Sequence, residues 1–167
     1  MTISLPDGLW DKYYEAADWF IDDDHIGRVC TLVYPPKRIA CDNCTVKPVG
    51  TTTTNVYRTG GPAPFRFGSC PLCGGNGYSE QEITDTIRLR VYWNRSDWLR
   101  VASSIVTESS EAMVIGYASD LPKLQRAIEV LLVKDASHTT YRTVLEGKPI
   151  PWGFGRNRYF AATFKSA

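Results

Sequence analysis

The sequence predicts a mainly β protein, a small antiparallel β-barrel or sandwich with an N-terminal helix and a four-cysteine insertion. Three observations support this fold class. An aromatic stripe at helical spacing comes first, short β-branched segments separated by turn residues follow, and two Cys-x-x-Cys pairs interrupt them. We expect an acidic helix and turn at residues 1–26, then a β domain at 27–167 with the insertion at about 37–80.

Length and composition exclude several classes of protein. The 167 residues are 43% hydrophobic and 22% charged, which suits one domain with a real core and excludes intrinsic disorder. No apolar run approaches the roughly 18 residues of a membrane span. Residues 1–6 lack the basic and apolar regions of a signal peptide, so we expect no membrane association.

The first predicted element is a helix from Asp7, its N-cap, to about Phe20. Apolar side chains recur at steps of three and four residues and form one stripe: Trp10, Tyr13, Tyr14, Ala17 and Phe20. We expect this stripe to pack on the protein's own core, and docking on a neighbouring subunit is the alternative. Asp22, Asp23 and Asp24 follow as a polar turn without the alternating spacing of a calcium loop.

The β segments follow from alternation and turn residues. Gly27–Tyr34 is a predicted strand that two prolines end, and Cys30 is expected to be buried within it. Residues 87–93 alternate apolar and polar side chains. Further strands are predicted at about 98–106, 112–117, 128–133, 141–145 and 158–164, a helical turn capped by Asp120, and turns at 147–153 and 153–157.

The insertion at about 37–80 holds little apolar surface that could form a core. It contains a tetra-threonine run at 51–54, and its Gly60–Pro64 segment predicts loop. An irregular segment of this length inside a compact domain needs support.

Four of the five cysteines supply that support. Cys41 and Cys44 are separated by 25 residues from Cys70 and Cys73, a pairing typical of a structural zinc ribbon. Zinc binding contributes roughly 10–16 kcal/mol in small peptides, enough to close the loop. Four protein thiolates leave no position for water, so we expect a structural and not a catalytic ion.

Other cysteine chemistries fit less well. An iron–sulfur cluster also takes four thiolates and remains an alternative. Disulfides would suit an oxidising compartment, to which nothing in the sequence directs the chain, and a redox pair would need a βαβ context. The segment Cys70–Gly77 resembles one unit of the zinc domain of DnaJ-type chaperones. The first pair lacks the glycines of that unit, which favours a single zinc ribbon.

No enzyme motif is found, and neither His25 nor His138 lies in a catalytic pattern, so we do not expect an enzyme. Residues 1–29 carry a net charge of −5 and the remainder +6. The near-neutral total argues against a surface that grips nucleic acid everywhere. One stripe favours the alternative function, a zinc-ribbon nucleic-acid-binding module: Arg88, Arg90, Arg95 and Arg100 near Tyr92, Trp93 and Trp98.

The arrangement as a whole resembles the head-closure, or stopper, proteins of the tailed-bacteriophage neck. The features that carry this resemblance are the two cysteine pairs around Gly60–Phe65, then Arg88–Trp93, Ser119–Lys123, Gly147–Gly153 and Arg158–Phe160. The resemblance implies a small β-barrel with a loop-rich insertion, and no active-site residue.

The same resemblance implies a homo-oligomeric ring between the portal–adaptor and the tail. Such a ring retains or gates packaged DNA, which passes through the channel without sequence-specific binding. It would place the protein in the neck of the virion, after synthesis in the host cytoplasm. The acidic head and basic body also suit a ring, in which unlike faces of neighbouring subunits meet.

Overall fold

The computed structural model describes residues 7–49, 52–66, 68–94, 96–97, 109–134, 139–153 and 157–167. A helix, α1, spans Asp7–Asp22, and a short helix, α2, spans Leu121–Arg126 directly after a 3₁₀ turn at Ala118–Asp120. The strands of the described part are β1 Gly27–Ala40, β2 Cys44–Val49, β3 Thr52–Tyr57, β4 Tyr78–Tyr92, β5 Ala112–Tyr117, β6 Glu129–Lys134, β7 Thr139–Trp152 and β8 Tyr159–Ser166.

Six strands close into an antiparallel barrel in the order β1-β4-β5-β8-β7-β6, and β2 pairs with β3 in a separate two-stranded sheet. The prediction of a mainly β fold with an N-terminal helix is therefore confirmed, and of the two predicted architectures the barrel is the observed one. Contacts divide the chain into two compact units. The barrel unit comprises the described residues up to Tyr34 and from Thr84 onward, and the cysteine unit comprises Pro35–Ile83.

Alternating side chains fill the interior of the barrel. Leu32, Leu89, Leu132 and Phe164 are all fully buried there, and burial raises the pKa of the neighbouring Cys30 thiol to about 12. Cys30 is thus the buried strand residue that the sequence predicts. On β5, a Cβ at Gly116 would lie 2.6 Å from Leu89 Cδ2, so any larger residue there would displace this core side chain.

The helix α1 packs on the barrel unit through one face. Tyr14, Ala17 and Ile21 are buried against side chains of β5 and β8, among them Met113 and Tyr159. The prediction that the stripe packs on the protein's own core is confirmed, with one error. Phe20 is 45% exposed, and Ile21 takes the predicted place because it lies two turns after Tyr14 on the same line of the helix.

Two predicted irregular segments are strands. The threonines of β3 pair with β2 in a hairpin, because β-branched side chains favour the extended backbone. The predicted turn at 147–153 is also wrong, since β7 continues to Trp152. An irregularity in its pairing with β8 between Glu146 and Ile150 accommodates Gly147 at a φ of 68°.

Three further predictions differ in how they compare with the structure. The strand expected at about 98–106 and part of the turn at 153–157 lie outside the described residues. Asp120 precedes α2 as predicted, but its side chain makes no capping hydrogen bond and instead lies 3.8 Å from the Lys123 ammonium. Neither helix of the described part is long and apolar enough to span a membrane.

Candidate metal centre

Four cysteines converge at one point of the cysteine unit. Cys41 directly follows β1, Cys44 begins β2, and Cys70 and Cys73 lie in the turn before β4. Their sulfur atoms all lie within 4.8 Å of one another, with 3.8 Å between Cys41 and Cys70 and 3.5 Å between Cys44 and Cys73. None of the four forms a disulfide.

The separations match ligands of one tetrahedral ion. Thiolates that bind zinc at about 2.3 Å lie about 3.8 Å apart around a tetrahedron. The four cysteines are between 0% and 9% exposed, and Phe65 packs against them. They are the buried hydrophobic cluster of the described part of this unit, so the unit has little apart from this cluster to hold it together.

Asn43 connects the cluster to the chain that passes beside it. Its buried amide donates to Cys70 Sγ at 3.3 Å and to the Ala63 carbonyl at 2.7 Å, while its oxygen accepts from the Ala63 N–H at 2.8 Å. All three contacts join the first cysteine pair to residues from the intervening segment or the second pair. Asn43 therefore fixes both the orientation of a sulfur and the path of the loop.

A second asparagine and two glycines fix the other half of the cluster. Asn55 of β3 accepts from the Cys44 thiol at 3.5 Å and donates to the Gly75 carbonyl at 2.8 Å. The Gly77 N–H donates to Cys73 Sγ at 3.3 Å. A Cβ at Gly77 would come within 2.1 Å of Val46 Cγ2, and the residue's φ of 76° also favours glycine.

These hydrogen bonds decide which sulfurs ionise. Burial alone would raise the pKa of Cys70, but the Asn43 amide and the N–H groups of Cys73 and Leu72 lower it to about 6. N–H groups at Gly77 and Gly75 likewise outweigh burial and lower the pKa of Cys73. Burial and the neighbouring sulfurs raise the pKa of Cys44. The second pair thus favours the thiolate, which is the form that binds metal.

The aspartate run at the end of α1 is engaged within the barrel unit. Asp22 accepts from the Tyr117 phenol at 2.7 Å, and Asp24 pairs with Arg88 at 2.7 Å. Asp23 closes a turn by accepting from the N–H groups of residues 25 and 26. Each carboxylate has a protein partner, in keeping with a polar turn and not with a cation site.

The arginine stripe is only partly a free surface. Arg88 is held by Asp24, and Arg90 lies 4.9 Å from the centre of the Tyr92 ring. Arg95, Arg100, Trp98 and His138 lie outside the described residues.

Sequence reasoning identified the four sulfurs but missed Asn43 and Asn55. Asn43 carries a weak signal, since it lies inside the first Cys-x-x-Cys pair, whereas nothing near Asn55 marks it. Comparison of the chain with protein-family models, with curated proteins and with solved structures gives no match.

Proposed function

We propose that Cys41, Cys44, Cys70 and Cys73 bind one structural zinc ion. The observation that carries this proposal is the spacing of the sulfurs, which suits a single tetrahedral ion. Burial of all four side chains supports a closed site that water does not enter. The role of the ion is then to hold the cysteine unit in its fold and not to act on a substrate.

Zinc is preferred to an iron–sulfur cluster for a geometric reason. In a cluster, the cysteines bind different iron atoms, so their sulfurs lie further apart than those around one ion. Here, all four sulfurs lie within 4.8 Å of one another.

Elemental analysis tests the metal directly. We expect about one zinc per chain in the purified protein and little iron, without the visible absorption of an iron–sulfur centre. The cells are grown with both zinc and iron supplied, so that the availability of one metal does not decide which of them is found. Protein without either metal would contradict the metal site, and stoichiometric iron would contradict zinc.

We further propose that the protein is a structural component of a bacteriophage neck, in a head-closure ring between the portal–adaptor and the tail. The proposal is supported by the sequence segments that resemble head-closure proteins and by their order along the chain. It is also supported by a closed barrel whose interior is filled by side chains. A filled barrel conducts nothing itself, so a channel for DNA would form between the subunits of a ring.

The distribution of charge bears on how such a ring would assemble. Asp18 pairs with Arg158 at 2.6 Å, and Asp24 pairs with Arg88, so part of the acidic head is neutralised by the chain's own barrel. Besides its exposed charged residues, α1 leaves large apolar side chains free for a neighbouring subunit. Trp19 is 53% exposed and packs edge to face on Phe20, and such aromatics are enriched at interfaces.

Electron microscopy of the native particle tests the neck proposal, with the purified protein examined for rings alongside. We expect a ring of copies at the head–tail junction and oligomers on addition of the neighbouring portal complex. A monomer found away from the neck would contradict this function. Measured metal in the same particles would show that zinc is present in the assembled form.

The second candidate is a zinc-ribbon module that binds nucleic acid, favoured by Arg90 over Tyr92 beside the half-buried Trp93. Arg88, the other described arginine of the stripe, is already paired, which weakens this candidate. A ring subunit should bind short duplex DNA weakly. A dedicated binding module should bind it with an affinity that falls steeply as salt rises.

A further inference from the structure

A cavity of about 250 Å³ lies in the barrel unit, where β1 begins and β4 and β6 end. The antiparallel register of β1 and β6 brings the first residues of β1 beside the last residues of β6. The cavity is lined by Ile26, Arg28, Arg90, Val91, Trp93, Val133 and Lys134. Three of these side chains are cationic and none is acidic. The cavity is therefore a concave surface of one sign of charge.

Arg90 has an unused donor at this site. One of its terminal nitrogens, Nη1, donates to the Ile26 carbonyl at 2.8 Å, which anchors the guanidinium. Its Nε is buried and has no hydrogen-bond partner among the described residues. A buried donor without an acceptor is costly, so an acceptor that comes within reach of this nitrogen is favoured.

The other two cations also have no carboxylate partner among the described residues. Arg28 donates to the Asp24 carbonyl at 3.2 Å, and the Lys134 ammonium lies 5.4 Å from the ring of Trp93 and 5.5 Å from that of Tyr141. Within the described part of the chain, none of these three cations forms an ion pair. Five other cations do: Arg38, Arg88, Lys123, Arg142 and Arg158. Among the residues that the structure describes, these three positive charges around one cavity thus have no anionic partner.

We propose that this cavity binds a phosphate group. A phosphate offers several acceptor oxygens around one centre, which suits two guanidinium groups and an ammonium that converge on one cavity. The volume accommodates the group but is below the range of pockets that enclose a drug-sized ligand. The phosphate is either a free ion or part of a nucleic-acid backbone. The proposal depends neither on the zinc site nor on the neck function.

Titration of the full-length protein with inorganic phosphate tests the site. We expect saturable binding of one ion by calorimetry and a shift of the Arg90 Nε–H resonance in NMR spectra of the unmodified protein. Arg28→Gln and Lys134→Gln should each weaken binding about tenfold, because each removes a charge-assisted contact. Lys148→Gln is the matched control, since it makes the same charge change at an exposed position that does not line the cavity.

A short single-stranded oligonucleotide distinguishes the two sources of phosphate. If the ligand is a nucleic-acid backbone, the oligonucleotide binds more tightly than the free ion, the free ion competes with it, and Lys134→Gln lowers the salt dependence of binding. If only the free ion binds, the site serves small phosphates. The proposal is overturned if neither ligand gives saturable binding. It is also overturned if the Lys134 and Lys148 variants bind equally while the Arg90 resonance stays unmoved.

Discussion

The side-chain amide of Asn43 donates to the Cys70 sulfur at 3.3 Å and is completely buried. The same side chain makes two hydrogen bonds with the backbone of Ala63. The loop also approaches Asn43 closely at Gly61, which has no side chain. A Cβ at Gly61 would lie 2.6 Å from Asn43 Oδ1. One residue thereby joins a metal ligand to the path of the segment between the two cysteine pairs.

Asn43→Ala should therefore weaken zinc binding. The substitution removes the donor to Cys70 and leaves backbone groups of Ala63 unpaired, and loss of such an outer contact lowers metal affinity about 10- to 100-fold. Competition with a chromophoric chelator measures the change. Asn76→Ala, at an exposed position of the same unit, is the control and should bind zinc as the unmodified protein does. Equal affinities for the two variants would show that Asn43 has no part in the site.

Cys70→Ser should release the metal and leave the barrel folded. A serine hydroxyl does not replace a thiolate on zinc, and the cysteine unit has little other buried apolar surface in its described part. Hydrogen exchange should then rise across residues 40–80, while β5 and β8, which have their own core, stay protected.

Cys30→Ala is the matched control for that experiment, because Cys30 lies inside the barrel and contacts no proposed ligand. It should keep its full zinc content. Retention of zinc by Cys70→Ser, or loss of exchange protection throughout the barrel, would contradict the division of roles between the two units.

The barrel and the sulfurs were predictable because their signals are local. The alternation of apolar and polar side chains in residues 87–93 indicates which of them face the interior of the barrel. The Cys-x-x-Cys spacing is typical of a turn around a metal ion. The insertion at about 37–80 was predicted as irregular, and its strand Thr52–Tyr57 was missed. The partner strand, Cys44–Val49, is a short segment that contains a proline and begins at a metal ligand. Pairing, and not hydrophobic patterning, makes both of them strands.

The contacts that the sequence did not predict depend on residues far apart in the chain. Asn55 reaches the cluster from a different strand, and 20 residues separate it from Gly75, whose carbonyl it binds. Arg28, Arg90 and Lys134 come from three strands that only the closed barrel brings together. No local spacing encodes either arrangement, so the metal ligands could be read from the sequence while their supporting residues and the cationic cavity could not.

Asp18→Ala should destabilise the barrel unit by loosening α1. Asp18 accepts from the Tyr159 phenol at 2.7 Å and pairs with Arg158. The phenol then keeps only the longer contact to the Tyr14 carbonyl at 3.3 Å, so the loss costs about 1 kcal/mol, and the half-exposed ion pair adds little. Urea unfolding measures the change. Glu15→Ala, at an exposed position of the same helix, should alter the free energy of unfolding by less than about 0.5 kcal/mol, and an equal loss in both variants would contradict this role of Asp18.

Tyr117 and Tyr159 should make the barrel unit lose stability in alkaline solution. Burial, reinforced by hydrogen bonds to Asp22 and Asp18 respectively, raises both phenol pKa values far above the usual 10.0. The folded protein therefore keeps both protons above pH 10, whereas the unfolded chain releases them. Their contribution is complete below about pH 10 and declines as the pH rises beyond it. The decline is at most about 1.4 kcal/mol per pH unit for the buried Tyr159 and less for Tyr117, because solvent screens its half-buried phenol.

Urea unfolding between about pH 8 and pH 11 measures this decline. The double variant Tyr117→Phe, Tyr159→Phe should be less stable at pH 8, because Asp18 and Asp22 lose their donors, but should show a shallower fall above pH 10. Tyr141→Phe, in which an exposed phenol is removed, should fall as steeply as the unmodified protein. Parallel pH profiles for the unmodified protein and the double variant would mean that other groups cause the alkaline loss. Tyr117 and Tyr159 would then have no part in it.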